Sequence, residues 1–160
     1  MTIDKNQEVI NFLVDCPAIR NNPLYFNFVN AKDNNKQFIT VANDRNIQQP
    51  YIDGSVLKQY TFTIIDFKSV TFDPIVKTVG YVNENVEDML DVQSIIDWIT
   101  EQNEAKNYPD FGEYCFIDDM RATTENPALN SVDVSLTPAL ARYSITIRIE
   151  YLDKTKVLWK

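Results

Sequence analysis

Between Tyr143 and Tyr151 the chain alternates without a slip. Tyr143, Ile145, Ile147, Ile149 and Tyr151 fall on one side of an extended backbone, and Ser144, Thr146, Arg148 and Glu150 on the other. A period of two, with β-branched and aromatic residues on one side, predicts a strand with one dry face that runs on to Leu152. A second, longer alternation extends from Val56 through Val70, where Tyr60, Phe62 and Ile64 alternate with Thr61 and Thr63. Asp66 and Lys68 continue the Tyr60 face, while Ile65 and Phe67 keep the other face apolar. Such a change of face predicts a bulge, or a strand that projects beyond the compact body and packs against something outside it.

Helical spacing appears twice. Asp4 is placed to cap a first helix, with Gln7 as its capping-box partner, and Val9, Ile10 and Leu13 follow as the buried stripe until Pro17 stops the run. Asn83 or Asn85 caps the main helix, whose stripe is Met89, Val92, Ile96 and Ile99, widened by Leu90 and Ile95 and flanked by Trp98. It fades at Asn107, before Pro109. Leu24 to Val29 and Gln37 to Val41 read as two strands joined by the polar turn 32–36, hence as a hairpin. Glu113 to Ile117 reads as a further strand. Residues 42–55 and 123–138 read as long loops, the second with a short extended piece over 132–136, and loops of that length suit order gained on binding a neighbour. The order α-β-β-β-α-β-β predicts an α+β fold: an antiparallel or mixed sheet of about five strands, two helices on one face, and a single domain over 1–160.

Composition narrows the chemistry. At 160 residues the chain has room for one real core. It contains 3 glycines, little material for a phosphate-cradling loop, and no histidine, the commonest general base and metal ligand. Hydrolase and zinc chemistry are disfavoured, and the expectation is a protein that is not an enzyme, with no catalytic, cofactor-binding or metal-binding residues. Cys16 and Cys115 read as two buried thiols in a reducing compartment. No run approaches the roughly 18 apolar residues that span a bilayer, and the amino terminus lacks the order of a secretion signal, so a cytoplasmic start and no membrane partner are expected.

The net charge of −8 is unevenly spread. Acidic residues crowd the stretch from Val82 to Met120, whereas Arg142, Arg148, Lys154, Lys156 and Lys160 make the carboxyl end basic. The acidic surface disfavours binding along a phosphate backbone. Two oppositely charged patches suit head-to-tail contact between identical subunits. On that reading the candidate interface residues are Lys68, Asp91, Glu101, Arg148, Lys154 and Lys156.

Two further constellations carry less. Asp118-Asp119 resembles a hard-cation pair, but it lacks a placed third ligand, and adjacent strand residues point to opposite faces. Arg121 reads as a surface partner for one of them. Tyr114, Phe116, Tyr143 and Tyr151 suggest a base-stacking platform, yet the acidic surroundings favour core packing for all four.

The element order, the Asp97-Trp98 ending of the helix and the closing run Arg142-Tyr-Ser-Ile-Thr-Ile-Arg-Ile-Glu-Tyr-Leu152 resemble small neck and tail-completion proteins of long-tailed bacteriophages, especially tail terminator or minor capsid proteins from phages of Gram-positive hosts. The resemblance implies a ring-forming structural subunit, commonly a hexamer, that caps the tail tube and meets the head connector. It implies assembly in the host cytoplasm and residence at the head–tail junction of the virion. It carries over no catalytic residue. The alternatives are a head–tail connector stopper or adaptor, another phage-encoded binding module such as a host-directed inhibitor, and a carboxylate-dependent enzyme using Glu113, Asp118 or Asp119.

Overall fold

The structure is a computed structural model, and it describes residues 4–20, 22–27, 32–40, 47–72, 75, 78–79 and 83–157. Residues 28 and 29 of the expected aromatic strand, Val41, most of the expected loop before 47, and Trp159-Lys160 lie outside the described residues.

The fold is α+β, with three helices and a mixed sheet of seven strands among the described residues. Its axis is a pair of 14-residue strands, β4 (Val56–Ser69) and β7 (Leu140–Asp153), antiparallel and in unbroken register from Val56 opposite Asp153 to Ser69 opposite Leu140. The free edge of β4 carries β2 (Lys36–Thr40) beside one half and β3 (Ile47–Pro50) beside the other. The free edge of β7 carries β5 (Cys115–Ala122) and then β6 (Ala128–Asp133) in the same way. Each edge is thus one line of pairing interrupted midway. β1 (Leu24–Phe26) lies outside β2.

Several expectations are corrected here. β1 and β2 pair in parallel, Leu24 beside Lys36 and Phe26 beside Phe38, so they are not a hairpin. The sheet has seven strands instead of five because β3 and β6 arise inside the two stretches expected as loops. β6 spans Ala128–Asp133, ahead of the expected 132–136 piece, and β5 begins at Cys115 and runs five residues beyond Ile117. Residues 51–55 form a tight turn, with the Tyr51 N–H donating to the Ser55 carbonyl (2.8 Å). Gly54 there has φ +96°, and a Cβ on it would meet the Lys156 carbonyl oxygen at 2.5 Å, so only glycine fits.

α1 (Lys5–Leu13) is capped as expected, Asp4 Oδ1 accepting the Gln7 N–H at 3.2 Å. The Gln7 side chain donates forward to Asn11 Oδ1 (2.8 Å), which leaves the capping box half made. The helix ends before Pro17, and Pro17 opens a third helix, α2 (Pro17–Arg20), where its missing N–H costs nothing. α3 (Glu84–Glu104) is capped by Asn83, whose side chain accepts the Asn85 N–H at 2.9 Å.

One buried cluster joins Val9 and Leu13 of α1, Ile19 of α2 and Val92, Ile95, Ile96 and Ile99 of α3 to Phe38, Phe62, Ile64, Ile145, Ile147 and Ile149. The alternating face of β7 and the α3 stripe of Val92, Ile95, Ile96 and Ile99 are therefore core, as expected, with Met89 partly buried and Trp98 packed on Phe12 at 4.9 Å; Leu90, expected to widen the stripe, is instead 64% exposed. A small second cluster of Ile65, Phe67 and Leu140 occupies the opposite side of the sheet.

The face of β4 does not switch, and the strand does not project. Asp66 and Lys68 stay on the buried Phe62 side, 1% and 3% exposed, because wholly buried Lys36 of β2 stands across from Asp66. Lys36 Nζ lies 3.4 Å from Asp66, and Lys68 Nζ lies 3.9 Å from it while donating to Asn34 Oδ1 (2.6 Å) and pairing with Asp91 of α3. Burial pushes the Asp66 carboxyl up to about 6 against the pull of the two lysines. Charges that the alternation alone read as a change of face form an internal ion cluster.

Candidate functional site

The two halves of the β7 edge differ in cover. Beside β5, α3 closes the sheet edge: Asn103 Oδ1 accepts the Met120 N–H (2.9 Å), Asn103 Nδ2 donates to Asp119 (3.2 Å), and the Tyr108 hydroxyl donates to the Asp118 carbonyl (3.3 Å). Beside β6 no such cover exists among the described residues, and all six of its residues are exposed.

β6 brings apolar side chains to this open end. Leu129 stands opposite Tyr143, and Val132 opposite Ala141, so both share the face of the sheet on which α3 lies. Leu129 is 53% exposed, Val132 41%, and in the turn that follows Val134 reaches 70%. The first turns of α3 carry Val86 and Leu90, themselves 46% and 64% exposed. A pocket of about 350 Å³ at the start of α3 is lined by Ile75, Asn83, Asn85, Val86, Met89 and Tyr143, the last of them beside Leu129. Phe72 is exposed nearby, the preceding Thr71 being tied to the Asn85 side chain through two hydrogen bonds. Isolated apolar residues on a surface are ordinary; a contiguous set around a concavity marks a contact surface.

Further along α3, Gln93 ties the helix to the segment before β6, its Nε2 donating to the Glu125 carbonyl (3.0 Å) and to Asp97 (3.2 Å). Burial raises the Tyr143 phenol, and the nearby Asp88 raises it further.

Of the expected interface residues, the structure brings Lys68 and Asp91 together. Lys68 is buried and paired with Asp91, whose side chain keeps 47% exposure; periodicity alone could not reveal Lys36 across the sheet. Glu101 is exposed on α3. Arg148 sits mid-sheet on the face away from the helices, 3.9 Å from Glu150. Lys154 and Lys156 follow β7 at the opposite end of the molecule from the groove. Lys154 Nζ lies over the Phe116 ring at 5.3 Å, and Lys156 is exposed.

The carboxylate pair resolves into two roles. A bulge between Ile117 and Asp119 separates them. Burial would raise Asp119, but hydrogen bonds from Arg121 (2.7 and 3.0 Å) and Asn103 hold it down, so Arg121 is its partner as expected. Among the described residues no group of three or more His, Cys, Asp or Glu is placed to hold a metal ion. Tyr143 and Tyr151 pack in the core, whereas Tyr114 and Phe116 are 38% and 51% exposed and do not; Phe116 stands opposite Leu152, on the face of the sheet away from Tyr151. Cys16 is buried, Cys115 is half-buried, and both are free thiols. No helix among the described residues is long and apolar enough to cross a membrane. Comparison of the chain with models of known protein families and with curated proteins gives no match.

Proposed function

We propose that the protein is a self-assembling structural subunit, and that its assembly is the ring of a tail terminator or tail-completion protein at the head–tail junction of a long-tailed phage. The observation that carries the assembly reading is the open, mostly apolar pocket at the start of α3, lined by Ile75, Asn83, Asn85, Val86, Met89 and Tyr143, with exposed Leu129 of β6 standing beside Tyr143. An exposed concave apolar surface on a chain of net charge −8 costs solubility unless a neighbour covers it. One copy offering a surface and accepting another's generates a ring when the rotation closes. The phage assignment rests on the resemblance of element order and closing strand, and it specifies the tail tube and head connector as further partners.

Sedimentation and electron microscopy test both levels. Purified protein should form oligomers as concentration rises, and isolated tail tubes should acquire a ring at one end when it is added. A strict monomer at millimolar concentration ends the assembly reading. Oligomers that ignore tail tubes end the phage reading alone.

A further inference from the structure

We infer that Lys36 and Asp66 condense into an amide cross-link between β2 and β4, a covalent modification inside the internal ion cluster. The inference is independent of the assembly reading above.

Proximity and the exclusion of water carry it. Lys36 opens β2 directly across from Asp66 of β4, and the two residues are 0% and 1% exposed. Lys36 Nζ stands 3.4 Å from Asp66 Oδ1, the separation of a near-attack pair, and otherwise donates to the Asn34 carbonyl at 3.4 Å. Neither Asp66 oxygen accepts a hydrogen bond from a described residue. An ammonium and a carboxylate so poorly solvated are costly to keep charged. Transfer of one proton from Lys36 to Asp66 leaves an amine and a carboxylic acid, the forms in which nitrogen is nucleophilic and the carboxyl carbon open to attack. Burial pushes the Asp66 carboxyl up to about 6, the direction that transfer requires. The contrast within the molecule is Lys58 with Asp153, a hydrogen-bonded pair at 2.8 Å with 29% and 13% exposure. Burial would raise Asp153, but hydrogen bonds from Lys58 and Thr155 hold it down to about 2, so that pair stays ionic.

Lys68 takes a different part from Lys36. Burial would lower its amine, but Asp66 and Asp91 raise it, and it remains an ammonium bound to Asn34 Oδ1 (2.6 Å) and to Asp91. Its Nζ lies 3.9 Å from Asp66 Oδ2, the carboxyl oxygen away from Lys36. The chemistry balances with these groups alone. Lys36 Nζ gives a proton to Oδ1 and adds to Cγ, and the carbonyl electron pair moves onto Oδ2, where the Lys68 cation stabilises it. Nζ then passes a second proton to Oδ1, which leaves as water while the carbonyl re-forms on Oδ2. One C–N bond forms, one C–O bond breaks and nothing is oxidised or reduced. The fixed geometry of paired strands supplies the effective concentration that amide formation lacks in open solution.

Mass spectrometry of the denatured full chain, freshly folded and after days at neutral pH, is the test. Wild type should become lighter by one water, and proteolysis should yield a branched peptide that joins Lys36 to Asp66. Lys36→Met, which fills the same space without a nucleophile, should keep its full mass. The uncondensed pair is the one whose carboxyl titrates, so the pH dependence of stability should fade in proportion to the branched fraction. Wild type of unchanged mass after incubation overturns the inference, and that reading does not depend on the variant folding. A loss of water that persists in Lys36→Met, or that maps to Asp53-Gly54, where an aspartate before glycine closes on its own backbone, overturns it as well. Loss of ammonia with a branch between Lys68 and Asn34 would overturn the pairing in favour of the neighbouring lysine.

Discussion

β5 and β6 lie along the same edge of the same strand, yet one belongs to the core and the other to the surface. Where β5 runs, its apolar residues face α3, and Asn103 satisfies the strand's outward N–H at Met120. Where β6 runs, Leu129 and Val132 share the face of the sheet on which α3 lies, yet stay 53% and 41% exposed. The neighbouring halves of β4 differ too. Beneath β5 the centre of the ribbon is Phe62 against Ile147; toward β6 it is Asp66 against Tyr143 and Lys68 against Ala141. The sheet is thus dry and closed in one half, charged and open in the other. Pairing alone does not bury a strand; a second layer must follow it.

The largest test of that contrast places a charge in the closed half. Ile147→Asp, in a site with no exposure, should cost about 5 kcal/mol or more and leave no cooperative melting transition near that of wild type. A soluble variant with an unchanged midpoint would mean that the β5 half is not closed.

The ion cluster predicts a pH dependence of smaller size. Burial raises Asp66 from an ordinary 3.8 to about 6, against Lys36 and Lys68 and with Asp91 adding to the rise. The folded state therefore binds this proton more tightly than the unfolded state. Stability from the protonated carboxyl is fully present below about pH 4 and lost as pH rises through about 6. Measured by urea unfolding, wild type should lose up to ~3 kcal/mol relative to Asp66→Asn between pH 4 and pH 8. A difference that stays flat across that range would show that the lysines fully offset the burial.

Asn103→Ala comes next. It strips the Met120 N–H of its acceptor and should cost about 1–3 kcal/mol, with faster hydrogen exchange at Met120. Smallest of all, Val132→Ser should change monomer stability by less than about 0.5 kcal/mol, since the side chain is largely in solvent already. A larger loss in urea unfolding at low protein concentration would show that β6 is packed after all.

What could be read in advance follows the same division. Tyr143 to Tyr151 and the Val92–Ile99 stripe announce themselves because burial there obeys one local period. Asp66 and Lys68 mislead because their partner, Lys36, lies across a strand pair whose register no local pattern states. β1 and β2 mislead for a different reason: a short polar connection ordinarily joins antiparallel strands, and here it joins parallel ones. The groove was illegible as a site. Its apolar residues, Val86, Met89 and Tyr143, come from separate elements, and the bulge between Leu129 and Ser131 removes the alternation that would have marked β6 beside Tyr143.

The unbroken β4–β7 register also fixes an order of events in time. Val56 must find Asp153, and Ser69 must find Leu140, so the central ribbon cannot begin to zip until almost the whole chain has been made. Until then the inner edge of β4 has no partner, although its other edge can already pair with β2. Contacts of such long sequence separation make folding slow, in the range of milliseconds to seconds for small domains. Through that interval Phe62, Ile64, Ile65 and Phe67 form an apolar strand with one edge vacant, the condition under which a nascent chain is most exposed to chaperones and to its own copies.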